Sequence, residues 1–142
     1  GVPKDPVQAL QWYRKAAAGG QSEAQYNLGR LFAQGLGVAP DAERALEWYR
    51  KAAEQNQPDA QFELGLAYEQ GSTLAQDFGK ALQWYRRAAA QDHADAQHNL
   101  GALYDAGRGV VRDVDQAVDW YRKAASNGYA GSKVLRPAAL AR

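Results

Sequence analysis

Residues 96–125 read AQHNLGALYDAGRGVVRDVDQAVDWYRKAA, and the same text recurs at a fixed distance along the chain. Its closing motif is WYRKAA at Trp12, Trp48 and Trp120 and WYRRAA at Trp84, each tryptophan 36 residues after the last. Its opening motif returns as AQYNLG from Ala24 and AQFELG from Ala60. A fixed period of roughly 20–50 residues marks a stacked repeat, in which each unit buries its apolar face only against its neighbours. Such a stack presents a long surface rather than one enclosed pocket. That bounds function more tightly than any single residue does.

Within a unit, Ser22 with Gln25 three positions on has the form of a capping box and places a helix start. Ala24, Leu28, Leu31 and Phe32 follow at helical spacing, and Gly35 stands where a left-handed helix stop takes glycine. After a short loop, Asp41 has the side chain of an N-cap, and Ala45, Trp48, Tyr49, Ala52 and Ala53 form a second apolar stripe. Asp77 and Asp113 repeat the slot of Asp41, and Gly71 and Gly107 that of Gly35. Pro58 occupies a first-turn position, where its missing N–H costs nothing. The alanine pairs beginning at Ala16, Ala52, Ala88 and Ala124 let helices approach closely.

The spacing predicts helices over 6–18, 22–34, 41–54, 58–70, 77–90, 94–106 and 113–126, with no strand. The architecture is all-α, an α/α solenoid of antiparallel helix pairs. Residues 1–142 read as one domain with units at about 1–20 (partial), 21–56, 57–92 and 93–128, and a degenerate cap at 129–142. The strict period of the Trp-Tyr pairs beside alanine predicts that both rings are core.

The pattern A-x-x-x-L-G-x-x-Y-x-x-G-x-G-V-x-x-D-x-x-x-A-x-x-W-Y-x-x-A-A is carried in full by Ala96, Leu100, Gly101, Tyr104, Gly107, Gly109, Val110, Asp113, Ala117, Trp120, Tyr121, Ala124 and Ala125. It resembles the Sel-one-like repeat, a relative of the tetratricopeptide repeat, over positions 1 to about 128. The resemblance implies a right-handed superhelix whose first helices line a concave groove. It also implies an adaptor role in protein complexes, as in bacterial envelope, secretion and host-interaction systems. Gly1, Val2 and Asp5 match Gly37, Val38 and Asp41, so the sequence is expected to begin inside a repeat. A first helix lacking its partner should leave Trp12 and Tyr13 incompletely covered and open to end-to-end self-association. Two departures stand out. Thr73 replaces the second glycine of one G-x-G turn, which predicts a different backbone path there. Arg136 and Pro137 fall where Leu100 and Gly101 stood, which predicts a short or kinked last helix.

Composition removes several classes. The net charge is +1, from 17 basic against 16 acidic residues, which gives no electrostatic case for nucleic acid or an anionic membrane. No apolar run is long enough to span a bilayer. Cysteine is absent, so disulfides and thiolate metal sites are excluded. Methionine is also absent, even at position 1, so a processed or excised product is expected and localisation stays open.

No residue set supplies catalysis, and no cofactor, metal or small-molecule substrate is expected. Gly35/Gly37 and Gly107/Gly109 link two helices and lack the lysine of a phosphate loop. His93 and His98, five apart on a predicted helix, point away from each other and make no local metal pair. Ser22, Ser72, Ser126 and Ser132 have no triad setting, and Asp5, Asp41, Asp77 and Asp113 are explained as caps. The basic pairs beginning at Arg14, Arg50, Arg86 and Arg122 recur every 36 residues. Their alternative readings are a polyanion track that takes nucleic acid and a solvated face suited to helix C-termini, the latter favoured by Glu47 and Asp119 four residues before Lys51 and Lys123.

A polypeptide partner is expected on the first helices. One row reads Tyr26, Phe62, His98, the next Arg30, Leu66, Ala102, and a third Ala33, Glu69, Asp105. The candidate partner-binding residues are therefore Tyr26, Arg30, Phe62, Leu66, Glu69, His98 and Asp105, an aromatic and acidic set favouring apolar and basic side chains. His98 is expected at the surface or in the groove. The reading is a non-catalytic protein-binding scaffold. The nucleic-acid alternative rests on the basic ladder.

Overall fold

The structure, a computed structural model, describes residues 5–129. Among them are seven helices and no strand: α1 (Pro6–Ala18), α2 (Ser22–Gln34), α3 (Ala42–Glu54), α4 (Pro58–Gln70), α5 (Phe78–Ala89), α6 (Ala94–Ala106) and α7 (Val114–Ser126). These are the predicted helices. Three begin one residue later because Asp41, Asp77 and Asp113 are N-caps in extended conformation, each accepting from the N–H three residues on at 3.0–3.1 Å. Gly35 and Gly107 end α2 and α6 in the left-handed region, at φ 72° and 67°. The expected break around Arg136 and Pro137 lies outside the described residues.

The chain divides into two compact units, residues 1–64 and 65–142. In the first, α2 packs against α1 and α3, burying Leu10, Ala24, Leu28, Phe32, Ala45, Tyr49, Ala52 and Ala53. In the second, α6 packs against α5 and α7, burying Leu82, Tyr85, Ala88, Ala89, Leu100, Leu103, Tyr104 and Tyr121.

The leucine-glycine step of the repeat has a direct cause. A Cβ on Gly29 would stand 2.7 Å from the Tyr49 ring, and one on Gly65 2.4 Å from the Tyr85 ring. The glycine is a socket and the tyrosine of the next second helix is its plug. In three of the four Trp-Tyr pairs only the tyrosine is core, which corrects the sequence reading. Tyr49, Tyr85 and Tyr121 are buried, whereas Trp48, Trp84 and Trp120 are half-buried and Trp12 is 44% exposed. Adjacent residues of a helix point about 100° apart, so they cannot share one buried stripe. The tryptophans carry cations instead. Lys51, Arg87 and Lys123 lie over the rings of Trp48, Trp84 and Trp120 at 4.5, 4.7 and 4.4 Å. Such pairs each contribute about 0.5–1 kcal/mol where exposed. Tyr13 is half-buried where its counterparts are buried.

The capping box is a second correction. The N-cap of α2 is Gln21, with no side-chain cap bond. Gln25 is instead buried, donating to the Ala17 carbonyl at 3.4 Å and accepting from Gln55 at 2.8 Å. The same slot repeats this chemistry. Gln61 donates to the Ala53 carbonyl at 3.2 Å and to Asn56 Oδ1 at 3.0 Å. Gln97 donates to the Ala89 carbonyl at 3.1 Å and accepts from Asn127 at 2.9 Å. A glutamine here ties the end of one second helix to the next first helix. Gln61→Leu keeps the volume but strips both acceptors of a partner. We expect a loss of about 1–3 kcal/mol in chemical denaturation.

The turns after the second helices share one feature. Gly20, Asn56, Asp92 and Gly128 occupy equivalent positions, and all have positive φ, 88°, 69°, 63° and 90°. Asn and Asp are the side chains that tolerate that region best after glycine. Thr73, by contrast, is not among the positive-φ residues, so its loop takes the different path its sequence predicts.

Candidate functional site

The first helices expose different chemistry in the two units. In the first, Tyr26 on α2 is half-buried, its ring 5.7 Å from that of Tyr49 with 35° between planes. The exposed Arg30, one turn along, places its guanidinium 5.9 Å from the Tyr26 centroid. Burial raises the Tyr26 hydroxyl above its ordinary range, the Asp59 and Glu63 carboxylates raise it further, and Arg30 opposes them. Tyr49 is raised strongly, first by burial and then by Glu63 and Tyr26. Phe62, on the first turn and a half of α4, is half-buried.

In the second unit the predicted acidic residues are engaged. The Tyr85 hydroxyl donates to Glu69 Oε1 at 2.7 Å and accepts from Asn99 Nδ2 at 3.4 Å. Arg112 donates through Nε to the Asp105 carbonyl at 2.7 Å and forms an ion pair with its carboxylate at 3.5 Å. Gln76, in the slot of Arg112, likewise donates to the Glu69 carbonyl at 2.8 Å. Leu66 is half-buried. Glu69 and Asp105 therefore brace loops and tyrosines of their own unit. Burial, with Asp105 and Tyr129 adding, pushes the Tyr121 hydroxyl up to about 12.

His98 corrects the expectation of a surface residue. It is 8% exposed, with Tyr129 at 4.2 Å and Tyr121 at 5.2 Å from its ring. The aromatic Tyr129, a little beyond α7, closes over it, and nothing in the period announces that cover. Burial lowers the His98 pKa, opposed by the Asp95 carboxylate. A proton then binds the unfolded chain more readily than the folded one. The stability His98 contributes is complete above its unfolded pKa of about 6.5 and is lost as pH falls through the lower folded value. In denaturant titrations at pH 7.5 and pH 5, the wild type should lose more stability on acidification than His98→Phe does. Equal losses would show that burial of His98 carries no linkage.

Several other charged and aromatic groups have structural partners. His93 Nδ1 accepts from the Ala96 N–H at 3.1 Å and caps α6. Arg14 and Arg44 lie over the Phe32 ring at 5.9 and 5.8 Å. Arg86 donates to the Tyr104 hydroxyl. The basic ladder is thus largely laid on rings. Among the described residues no group of three or more His, Cys, Asp or Glu is placed to hold a metal ion, and no helix is long and apolar enough to cross a membrane.

Against this geometry, a family model described as Sel1 repeat matches residues 1–21, 22–57, 58–93 and 94–129. Among solved structures, the chain is similar to a Sel1 repeat protein from Oxalobacter formigenes, at 41% identity and a TM-score of 0.86, over 92% of this chain and 53% of that one. It is also similar to c5321, a protective antigen present in uropathogenic Escherichia coli strains displaying an SLR fold, at 38% identity and 0.86, over 92% and 28%. A third is Helicobacter pylori cysteine rich protein B, at 29% identity and 0.72, over 95% and 98%. The chain spans about half the length of the first of these and little more than a quarter of the second. A search of curated protein sequences gives no match. The repeat spans fall on the 36-residue period, and the all-α helix-pair solenoid class follows.

Proposed function

This chain belongs to the Sel1 repeat family, and on that premise we propose that it is a non-catalytic scaffold binding a polypeptide on its first-helix faces. Proteins of this family generally act as protein-interaction scaffolds, and the family is typically non-catalytic. One observation carries the finer reading. In a repeat whose core slots scarcely change, the first-helix slots hold Tyr26, Phe62, Arg30 and Leu66, all at least partly open to solvent and different from unit to unit. Partly exposed rings on rigid helices are the usual anchors of a protein interface. Glu69 and Asp105 contribute charge from positions fixed by Tyr85 and Arg112.

The nucleic-acid alternative has less support, because Lys51, Arg87 and Lys123 are already stacked on tryptophans. Self-association through the Trp12 face rests on that ring's exposure alone. Light scattering of the wild type and Trp12→Ser decides it, with a monomer at high concentration ruling it out.

Peptides enriched from a random display library against the full chain test the scaffold reading. Phe62→Ala and Leu66→Gln, each with unchanged helicity, are expected to weaken their binding by at least fivefold, roughly 1 kcal/mol. If neither moves affinity by more than about twofold, the first-helix faces are not the site.

A further inference from the structure

Asn127 and Gly128 form the only Asn-Gly pair in the sequence, and they stand where a side-chain bridge is made. Asn127 is the C-cap of α7. Its Nδ2 donates to Gln97 Oε1 at 2.9 Å, while Gln97 Nε2 is committed to the Ala89 carbonyl at 3.1 Å. In the first unit the equivalent bridge runs from Gln55 to Gln25. The slot takes glutamine there and asparagine here, and the two differ chemically. The asparagine side chain is one methylene shorter, so its carbonyl carbon closes a five-membered ring with the next backbone nitrogen. Glycine at that next position has no Cβ to obstruct the approach. Gln55 would need a six-membered ring, and the residue after it is Asn56 rather than glycine.

We propose that Asn127 is a site of spontaneous deamidation, guarded by its bridge to Gln97 and unable to remake that bridge once modified. The Gly128 nitrogen attacks Asn127 Cγ and loses its proton, the Cγ–Nδ2 bond breaks, ammonia leaves and a succinimide closes. Water then adds to either carbonyl of the ring, giving aspartate or isoaspartate. The folded turn opposes the first step twice. The Gly128 N–H donates to the Ala125 carbonyl at 3.2 Å, and the Asn127 amide is drawn towards α6 by Gln97. Asn127 is otherwise exposed, so water and base reach it whenever the turn opens locally. The aspartate product has no hydrogen to donate, so Gln97 Oε1, on a residue 1% exposed, loses its donor. Rotating the Gln97 amide to meet the carboxylate would strand the Ala89 carbonyl instead. The new negative charge also stands at a helix C-terminus, where the backbone dipole disfavours it. Isoaspartate adds a backbone atom immediately before Gly128, whose φ is 90°. Tyr129 follows, its N–H bonded to the Ala124 carbonyl at 2.9 Å and its ring 4.2 Å from that of His98. Modification at 127 therefore loosens the cover over His98.

The test is peptide mapping by mass spectrometry of the full chain, aged at mildly alkaline pH with and without urea. In urea, position 127 should be modified ahead of Asn27, Asn56 and Asn99. In the folded chain it should be modified at least about tenfold more slowly than in urea. Gln97→Leu should remove most of that protection, whereas Gln61→Leu, which strips the equivalent bonds of the first unit, should not. Asn127→Asp should lower the urea midpoint, and by less in the Gln97→Leu background, because the bridge can be lost only once. Modification in urea that does not favour 127 overturns the site. Equal rates at 127 in the folded and unfolded chain, or equal acceleration by Gln97→Leu and Gln61→Leu, overturn the guard. A midpoint loss for Asn127→Asp that is undiminished without Gln97 leaves only the dipole cost and overturns the role of the bridge.

Discussion

Tyr85→Ala will destabilise the protein by about 3–5 kcal/mol, the usual cost of truncating a fully buried large aromatic. Tyr85 is 0% exposed, its ring fills the socket left by Gly65, and its hydroxyl is bonded by Glu69 and Asn99. Removing it opens a cavity and leaves the Glu69 carboxylate without its donor. Trp84→Ala, one residue away, should cost only about 1–2 kcal/mol, the partial burial of one ring and one cation contact. Paired urea denaturations of the two variants measure the contrast. A Trp84→Ala loss as large as that of Tyr85→Ala would restore the tryptophan to the core and undo the assignment of the pair.

Gly109→Val should be nearly as damaging, at about 3–4 kcal/mol. Gly109 has φ 72°, and a Cβ there would stand 2.7 Å from the carbonyl oxygen of Phe78 and 2.6 Å from its carbonyl carbon. Backbone atoms at a helix start cannot swing aside as a side-chain end can, and a β-branched residue adds strain in the left-handed region. The loop of Thr73 supplies the control, since that residue does not occupy positive φ. Thr73→Gly should change stability by no more than about 1 kcal/mol. A Gly109→Val protein as stable as the wild type would mean that the loop and the start of α5 are not packed as described.

Most of the fold was legible because the period converts each local signal into a repeated one. Asp41, Asp77 and Asp113 announced the helix starts as caps, and the glycines at 35, 71 and 107 announced the stops. Repetition misled where two residues share a period but not a direction. Trp48 and Tyr49 recur together, and only the turn of the helix separates the buried ring from the one that carries a lysine. The capping-box reading of Gln25 fails, and the available signal for a buried bridge was the recurrence of glutamine at Gln61 and Gln97, three residues after Pro58 and Ala94, which cannot form that box. The candidate site was less legible. Whether Glu69 is free to meet a partner depends on Tyr85, sixteen residues away, and the cover over His98 comes from Tyr129, outside any repeated motif.

The central claim is that a polypeptide binds on the first helices and leaves the second helices alone. The most direct measurement is an NMR titration of the intact chain with an enriched peptide, following aromatic ring and indole N–H signals together. The rings of Tyr26 and Phe62 should shift while the indoles of Trp48, Trp84 and Trp120 stay in place. Movement of the indoles with Tyr26 and Phe62 unmoved would contradict the claim and transfer binding to the cation-bearing second helices.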